Sequence, residues 1–137
     1  MRILIDTNVV LDFLGARENF ESAEKIWKLC AAGRIEGFVS ASAITDIFFI
    51  LQKLIDREMV YSTLEMFLSA INIGDVTTRE ILEALKKRNK DFEDTVQSEC
   101  AISYSADYII TRDVKGFINS TVKAISPDAF LSILQSY

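Results

Sequence analysis

Short apolar runs alternate with longer amphipathic stretches along this chain. Such short runs fit buried parallel strands, because strands of this kind are covered on both faces of the sheet. The predicted strands are 2–5, 36–40, 71–76, 108–111 and 122–125, of which 71–76 is the weakest. Between them apolar residues recur every three or four positions, which predicts amphipathic helices. The predicted helices are 9–14, 20–32, 42–54, 58–70, 78–88, 91–105 and a last one that starts at 126.

Polar residues and glycines mark the ends of these helices. Small polar side chains precede the apolar stretches and are the preferred N-caps. The N-caps that we expect are Thr7 or Asn8, Ser42, Thr78, Asp91 and Ser126. Gly15 and Gly33 end the first two helices, and Pro127 takes the first position of the last one. Strands that alternate with one or two helices predict a layered α/β domain with a mainly parallel sheet. No repeat or linker divides the chain, so we expect a single domain over 1–137.

The composition excludes several classes of chemistry. The chain has no histidine, which removes the Ser-His-Asp triad, a histidine general base and the HExxH zinc helix. A net charge of −5 argues against a broad basic surface for duplex DNA. Cys30 and Cys100 lie in apolar, helix-patterned stretches and are expected to be reduced core thiols. Charged residues interrupt every long apolar run, so we expect neither signal peptide nor membrane span, and a cytoplasmic location.

Two aspartates follow strands that the topology brings to one edge. Asp6 ends the first predicted strand, and Asp113 comes two residues after Thr111, where the fourth ends. In open parallel sheets ligands bind outside the carboxyl ends of the strands. Either aspartate alone is explained equally well as a cap or turn residue. Two at the same edge favour a binding site.

Two further acidic positions lie on helices. Asp91 fits an N-cap, and Glu93 and Asp94 suit the positive end of a helix dipole. Asp94 also lies on a polar face and is well mounted as a metal ligand. Asp46 interrupts the apolar stretch 44–51, which predicts a helix buried on all sides. A carboxylate there must be hydrogen-bonded, protonated or bound to a cation, and no basic residue lies one turn away.

Converging carboxylates repel one another and raise each other's pKa values unless a cation neutralises them. A ligand set made only of oxygen favours Mg²⁺ or Mn²⁺ over zinc. With such ions the expected reaction is in-line attack of water on a phosphodiester, which needs no histidine.

Four segments in this order resemble the PIN-domain family. They are Ile5-Asp6-Thr7-Asn8-Val9, the helix entry from Ser40 to Asp46, Asp91-Phe92-Glu93-Asp94, and Ile110-Thr111-Arg112-Asp113 with Gly116-Phe117. The resemblance runs nearly end to end and includes the Ser126-Pro127 helix start. It implies a three-layer α/β/α fold with a central, mainly parallel sheet of about four to five strands.

The resemblance also implies a function and a set of site residues. Proteins of this kind are Mg²⁺- or Mn²⁺-dependent endoribonucleases, most often the toxin of a prokaryotic toxin–antitoxin pair, and commonly homodimers. RNA is then the substrate and an antitoxin protein the partner. Catalytic and metal-binding roles fall on Asp6, Asp94 and Asp113, with Asp46 as the fourth acid, directly or through water because many relatives carry glutamate there. Thr7, Asn8 and Thr111 would support these acids by hydrogen bonds.

Basic residues near the acidic segments are candidates for phosphate contacts. They are Lys86, Lys87, Arg88, Lys90 and Arg112. The first four equally fit a solvated helix end, where cations are favoured. Two other functions stay open: a PIN-like module that binds RNA or protein without cleaving, and an aspartate-based phosphatase. The phosphatase pattern would place a second aspartate two residues after Asp6, where this chain has Asn8.

Overall fold

The computed structural model describes residues 1–136 and contains a single parallel sheet over that range. Its strands are β1 (Arg2–Ile5), β2 (Glu36–Ser40), β3 (Asn72–Gly74), β4 (Tyr108–Ile110) and β5 (Lys123–Ile125). They lie in the order β3-β2-β1-β4-β5, and all four neighbouring pairs are parallel. Ile5 lies opposite Ile110, so the carboxyl ends of β1 and β4 are adjacent at the centre of the sheet.

Helices cover both faces of the sheet. They are α1 (Thr7–Leu14), α2 (Phe20–Ala31), α3 (Ala41–Leu51), α4 (Arg57–Leu68), α5 (Thr78–Lys87), α6 (Phe92–Ser103) and α7 (Pro127–Gln135), with a short 3₁₀ helix at Val114–Phe117. No helix within residues 1–136 combines the length and the apolar character that crossing a bilayer would need.

Two hydrophobic cores lie on opposite faces of the sheet, because side chains alternate between the faces along each strand. Ile3 and Ile5 face the larger core, which α1 to α4 and α7 cover. Leu4 faces the smaller core, which α5, α6 and the 3₁₀ helix cover. The three-layer α/β/α fold with a parallel central sheet is therefore confirmed. Cys30 and Cys100 are free and buried, one in each core.

Three predicted helix starts were wrong by one or two residues. Ser40 caps α3 in place of Ser42, because its Oγ accepts from the Ala43 N–H (3.2 Å). Asp6 caps α1 in place of Thr7 or Asn8, and Thr77 caps α5 in place of Thr78. In each case the cap is the last extended residue before the helix, where the side chain can reach a free N–H of the first turn.

Candidate active site

Asp6 lies at the junction of β1 and α1 and both of its carboxylate oxygens are held in place. Its backbone N–H donates to the Ile110 carbonyl (2.9 Å), which fixes it against the end of β4. Oδ1 accepts from the Thr7 N–H (2.9 Å), and Oδ2 accepts from the Thr111 hydroxyl (2.8 Å). Asp6 is buried apart from a small fraction of its surface. The carboxylate is therefore pre-oriented by the two neighbouring strands.

Thr111 links Asp6 to Asp113. The Thr111 Oγ1 that donates to Asp6 also accepts from the Asp113 N–H (3.0 Å). Asp113 in turn caps the 3₁₀ helix, since its Oδ1 accepts from the Gly116 N–H (3.2 Å). Asn8 Oδ1 accepts from the Arg112 N–H (3.4 Å) and ties the same loop to α1. Thr7, through its backbone N–H, and Thr111, through its hydroxyl, thus contact Asp6, whereas Asn8 contacts the loop that carries Asp113.

Gly116 lies where the carboxylates of Asp94 and Asp113 converge. A Cβ atom at this position would fall 2.6 Å from Asp94 Oδ2 and 2.7 Å from Asp113 Oδ2. A Cβ atom essentially never lies this close to another heavy atom, so a larger residue would displace at least one of the two acids. The glycine therefore leaves the space into which both carboxylates point.

Asp94 lies in the first turn of α6, where its N–H donates to Oδ1 of the capping residue Asp91 (3.0 Å). Burial, followed by the negative charges of Asp91, Asp6 and Asp113, raises the pKa of Asp94 to about 7. Burial also raises the pKa of Asp6, against the hydrogen bonds from Thr111 and Thr7 that oppose the shift. Within residues 1–136 no Lys or Arg forms an ion pair with Asp6, Asp94 or Asp113.

Asp46 and Glu93 form an acidic pair beside this group. A hydrogen bond with Asp46, then burial and the charges of Asp46, Asp91 and Asp94, raise the pKa of Glu93 to about 7. From the sequence, Glu93 was expected only to suit the helix dipole, and its pairing with Asp46 was not predicted. The expectation that α3 is buried on all sides was also wrong: Phe49 is 56 % exposed and Asp46 half-buried, because this face of α3 borders an open cavity.

Gln97 is a second residue that the sequence analysis did not select. It lies one turn after Glu93 on α6 and is only 3 % exposed, yet its Oε1 has no hydrogen-bond partner within residues 1–136. A buried carbonyl oxygen without a partner is costly and calls for a donor or a cation. Only its position one turn from the acidic residues could have drawn attention to it in the sequence.

Two cavities meet at Asp94. The first, of about 470 Å³, is bordered by acidic and amide side chains that include Asp6, Asn8, Asp46, Glu93, Asp94 and Gln97. The second, of about 520 Å³, lies between the α5–α6 turn and the 3₁₀ helix. Asp94 is the acidic residue that borders both cavities. The four predicted acids, Asp6, Asp46, Asp94 and Asp113, therefore surround two connected spaces at the carboxyl edge of the sheet.

The structure does not bring together the five predicted phosphate-binding residues. Lys87 and Lys90 border the second cavity, but Lys86, Arg88 and Arg112 border neither. Lys86 pairs with Glu83 (3.3 Å), and Lys87 pairs with Glu99 (2.5 Å).

Arg112 is held away from the carboxylates by an ion pair. Its Nε lies 2.6 Å from Oδ2 of Asp12, an α1 residue that is only 1 % exposed. The contact is ionic and lacks hydrogen-bond alignment. Arg112 thus compensates a buried charge, which the sequence could not reveal because the partner lies 100 positions away.

The donor set fits a hard divalent cation. All of the converging groups offer oxygen atoms. The pKa values of Asp6 and Asp94 are raised first by burial and then by neighbouring negative charges, and a bound cation would favour the charged forms. Within residues 1–136 no three acidic side chains lie close enough to ligate one ion jointly. This spacing suits an ion held by one or two carboxylates together with water, as Mg²⁺ commonly is in proteins.

Solved structures with the same fold include VapBC complexes and a VapC toxin. DNA-bound VapBC from Salmonella typhimurium superimposes with a TM-score of 0.72 at 14% identity, covering 93% of this chain and 98% of that one. VapBC2 from Rickettsia felis, bound to a DNA fragment from its promoter, gives 0.69 at 17% identity and covers 92% and 98%. VapC20 from Mycobacterium tuberculosis, a toxin that cleaves the sarcin–ricin loop, gives 0.61 at 12% identity and covers 78% and 86%.

The sequence itself also matches a family model. No curated protein matches this sequence. The family model of the PIN domain, however, matches residues 2–115, which include every acidic residue of the site described above. This chain therefore belongs to the PIN-domain family.

Proposed function

We propose that this protein is a metal-dependent endoribonuclease that hydrolyses RNA phosphodiester bonds. The observation that carries the proposal is the convergence of Asp94 and Asp113 over Gly116, next to Asp6, with no Lys or Arg paired to any of the three within residues 1–136. Such a group is stable in its charged form only with an external cation. Membership of the PIN family and the likeness to a toxin that cleaves the sarcin–ricin loop support RNA as the substrate.

The acidic residues and their hydrogen-bond partners would have different roles. Of Asp6, Asp94 and Asp113, one or two would ligate Mg²⁺ or Mn²⁺ directly and the rest would act through bound water, as Asp46 could. A divalent cation bound there would supply the positive charge that stabilises the phosphorane and the leaving oxygen. Thr7 and Thr111 fix the orientation of Asp6, and Asn8 fixes the loop that carries Asp113.

The Glu93–Asp46 pair suits proton transfer. Both carboxyl groups border the first cavity, and a carboxylate within hydrogen-bond reach of a bound water can act as a general base. Glu93 would accept a proton on its carboxylate from the attacking water, and Asp46 would share that proton through their hydrogen bond. Glu93 borders the first cavity together with Asp6 and Asp94, so the transfer needs no long-range movement.

We further propose that this single PIN domain, 1–137, is the toxin of a toxin–antitoxin pair and acts as a homodimer with an antitoxin protein as partner. Its similarity to chains from VapBC complexes supports this assignment. A short adjacent gene for a DNA-binding protein would support the toxin assignment. Copurification of that gene product with this chain would support the antitoxin partner.

The direct test is cleavage of a panel of structured RNAs in the presence of Mg²⁺, Mn²⁺ or EDTA. Wild type is compared with Asp94→Asn and with Asp56→Asn, a matched control at an exposed position outside the site. We expect cleavage that requires the metal, disappears in Asp94→Asn and persists in Asp56→Asn. Cleavage by none of the proteins, with no metal-induced rise in Tm, would leave a PIN-like module that binds without cleaving.

A further inference from the structure

We propose that the second cavity binds a nucleobase of single-stranded RNA, namely the base of the nucleotide next to the scissile phosphate. The proposal rests on the proposed function, because Asp94 and Asp113 border both this cavity and the reaction centre. A volume of about 520 Å³ lies within the range of small-molecule sites and has room for one nucleotide.

Ile118 gives this cavity an apolar surface. Ile118 is 82 % exposed, the largest value among the exposed large apolar residues of the described chain, and most of the other residues that border this cavity are polar or charged. The preceding residue, Phe117, is buried in the smaller core and anchors the segment. An exposed apolar side chain alone is unremarkable, but here it stands beside the carboxylates, where the face of a base could pack on it.

Polar groups without partners surround the same space. The side-chain amides of Asn89 and Asn119 make no hydrogen bond within residues 1–136, and Ser120 Oγ is buried without a partner in that range. The hydroxyls of Thr95 and Ser98 are already used by carbonyl groups of α6. Amide side chains present an adjacent donor and acceptor, which complement the edges of an unpaired base.

The distribution of charge favours a base inside the cavity and phosphate at its rim. Three carboxylates, those of Asp91, Asp94 and Asp113, border this cavity and would repel a second phosphate placed among them. Lys90 and Lys115 are exposed, border the cavity and have no acidic partner within 4 Å in residues 1–136. They suit the backbone phosphates on either side of a base that points inward.

The test compares fluorescein-labelled RNA decamers with decamers of the same length in which every base is absent. Both strands carry the same phosphates, so a difference in affinity reports contacts with the bases. Binding is measured by fluorescence anisotropy in EDTA, where no cleavage is expected. We expect wild type to bind the base-containing strand about tenfold more tightly, and Ile118→Ser and Asn119→Ala to remove most of that difference.

Matched controls lie outside the cavity. Ile73→Ser replaces another exposed isoleucine (51 % exposed), and Asn19→Ala replaces an asparagine that makes no side-chain cap. Both should bind like wild type. Equal affinity for the two strands in wild type, or a preference that survives Ile118→Ser and Asn119→Ala, would overturn the base subsite.

A second measurement separates this proposal from the nuclease itself. A pool of RNA with randomised sequence is cleaved in Mn²⁺, and the product ends are sequenced. We expect a base preference at one position beside the cut, reduced about tenfold in Asn119→Ala. Metal-dependent cleavage without any such preference would retain the nuclease and reject the subsite. A base-dependent affinity without cleavage would retain the subsite and reject the nuclease.

Discussion

Helix α6 carries buried or half-buried acids at two places, and their surroundings are opposite. Asp94, in the first turn, has no Lys or Arg partner within residues 1–136, and burial with three neighbouring carboxylates raises its pKa to about 7. Glu99, in the middle of the helix, accepts ion pairs from Arg79 (3.2 Å) and Lys87 (2.5 Å). Glu80 joins the second group through Arg79 (3.1 Å). Asp94 and Glu99 lie on the same helix, but within residues 1–136 only Glu99 is paired with cations of the chain itself.

The pKa of Glu80 shows what internal compensation does. Burial alone would raise that pKa, but hydrogen bonds from Thr77 and Ser103 and the charge of Arg79 outweigh burial and lower it. Carboxylates compensated in this way hold α5 against α6 and need nothing from solution. Carboxylates without a Lys or Arg partner are stabilised in their charged form by a bound cation. The difference separates a structural acidic group from a candidate catalytic one.

The largest expected effect comes from neutralising Asp94, which has no Lys or Arg partner within residues 1–136. Asp94→Asn should lower metal-dependent RNA cleavage by about 10²–10³-fold, the range seen when one preorganised electrostatic group is lost from an active site. The same change removes a repelled charge, so the metal-free variant should have a higher Tm than wild type at pH 8. Cleavage rates and thermal melts in EDTA measure the two effects. Unchanged cleavage would contradict the role of Asp94.

Removing Arg112, the ion-pair partner of the buried Asp12, should lower stability without lowering cleavage activity. Arg112→Ala leaves the buried Asp12 carboxylate without its partner and should reduce the free energy of unfolding by about 3 kcal/mol. Urea denaturation measures this loss, and Arg112→Lys should recover part of it. Cleavage per folded molecule should stay within about threefold of wild type. A stable Arg112→Ala protein that no longer cleaves would instead support a phosphate contact by Arg112.

A smaller loss of stability is expected at Glu99, because its cations are partly exposed. Glu99→Gln would leave Arg79 and Lys87 able to reach water, so the expected cost is about 1–3 kcal/mol. Urea denaturation again provides the measurement, with Glu83→Gln as a control, since the Lys86–Glu83 pair is exposed. Equal stability of Glu99→Gln and Glu83→Gln would contradict the role of the Glu99 ion pairs in holding α5 to α6.

The smallest effect is a slope of stability with pH in the metal-free protein. The pKa of Asp94 is about 7 in the folded chain and about 4 in an unfolded one, so the folded state binds the extra proton between these values. Stability is therefore highest below about pH 4 for this group and falls as pH rises towards about 7. Glu93 contributes in the same direction. Melts in EDTA at successive pH values should show this fall, and Asp94→Asn should flatten it.

Asp6 and Asp113 could be predicted as neighbours from the sequence because strand topology alone places them. Parallel strands share a carboxyl edge, and the end of each short apolar run is readable without knowledge of packing. Glu93, Gln97 and Asp12 could not be placed in the same way. Their roles depend on how α6 and α1 are rotated about their axes and on partners far away in the sequence, such as Asp46 for Glu93 and Arg112 for Asp12.

The helix starts illustrate a finer limit. Ser40 and Ser42 are equally good capping residues, and only the point at which β2 ends decides between them. The exposed face of α3 shows the same limit for burial, since an apolar sequence cannot indicate that Phe49 borders a cavity.

Gly116 has a consequence for how relatives of this chain are interpreted from genomes. A chain can carry all of the acidic residues, yet a single methyl group at this position would occupy the place where two of those acids meet. A gene could therefore keep every aspartate and still encode an inert protein. Loss of activity during evolution need not begin with a charged residue, and an intact acidic set is evidence of function only when the small residue between the acids is intact as well.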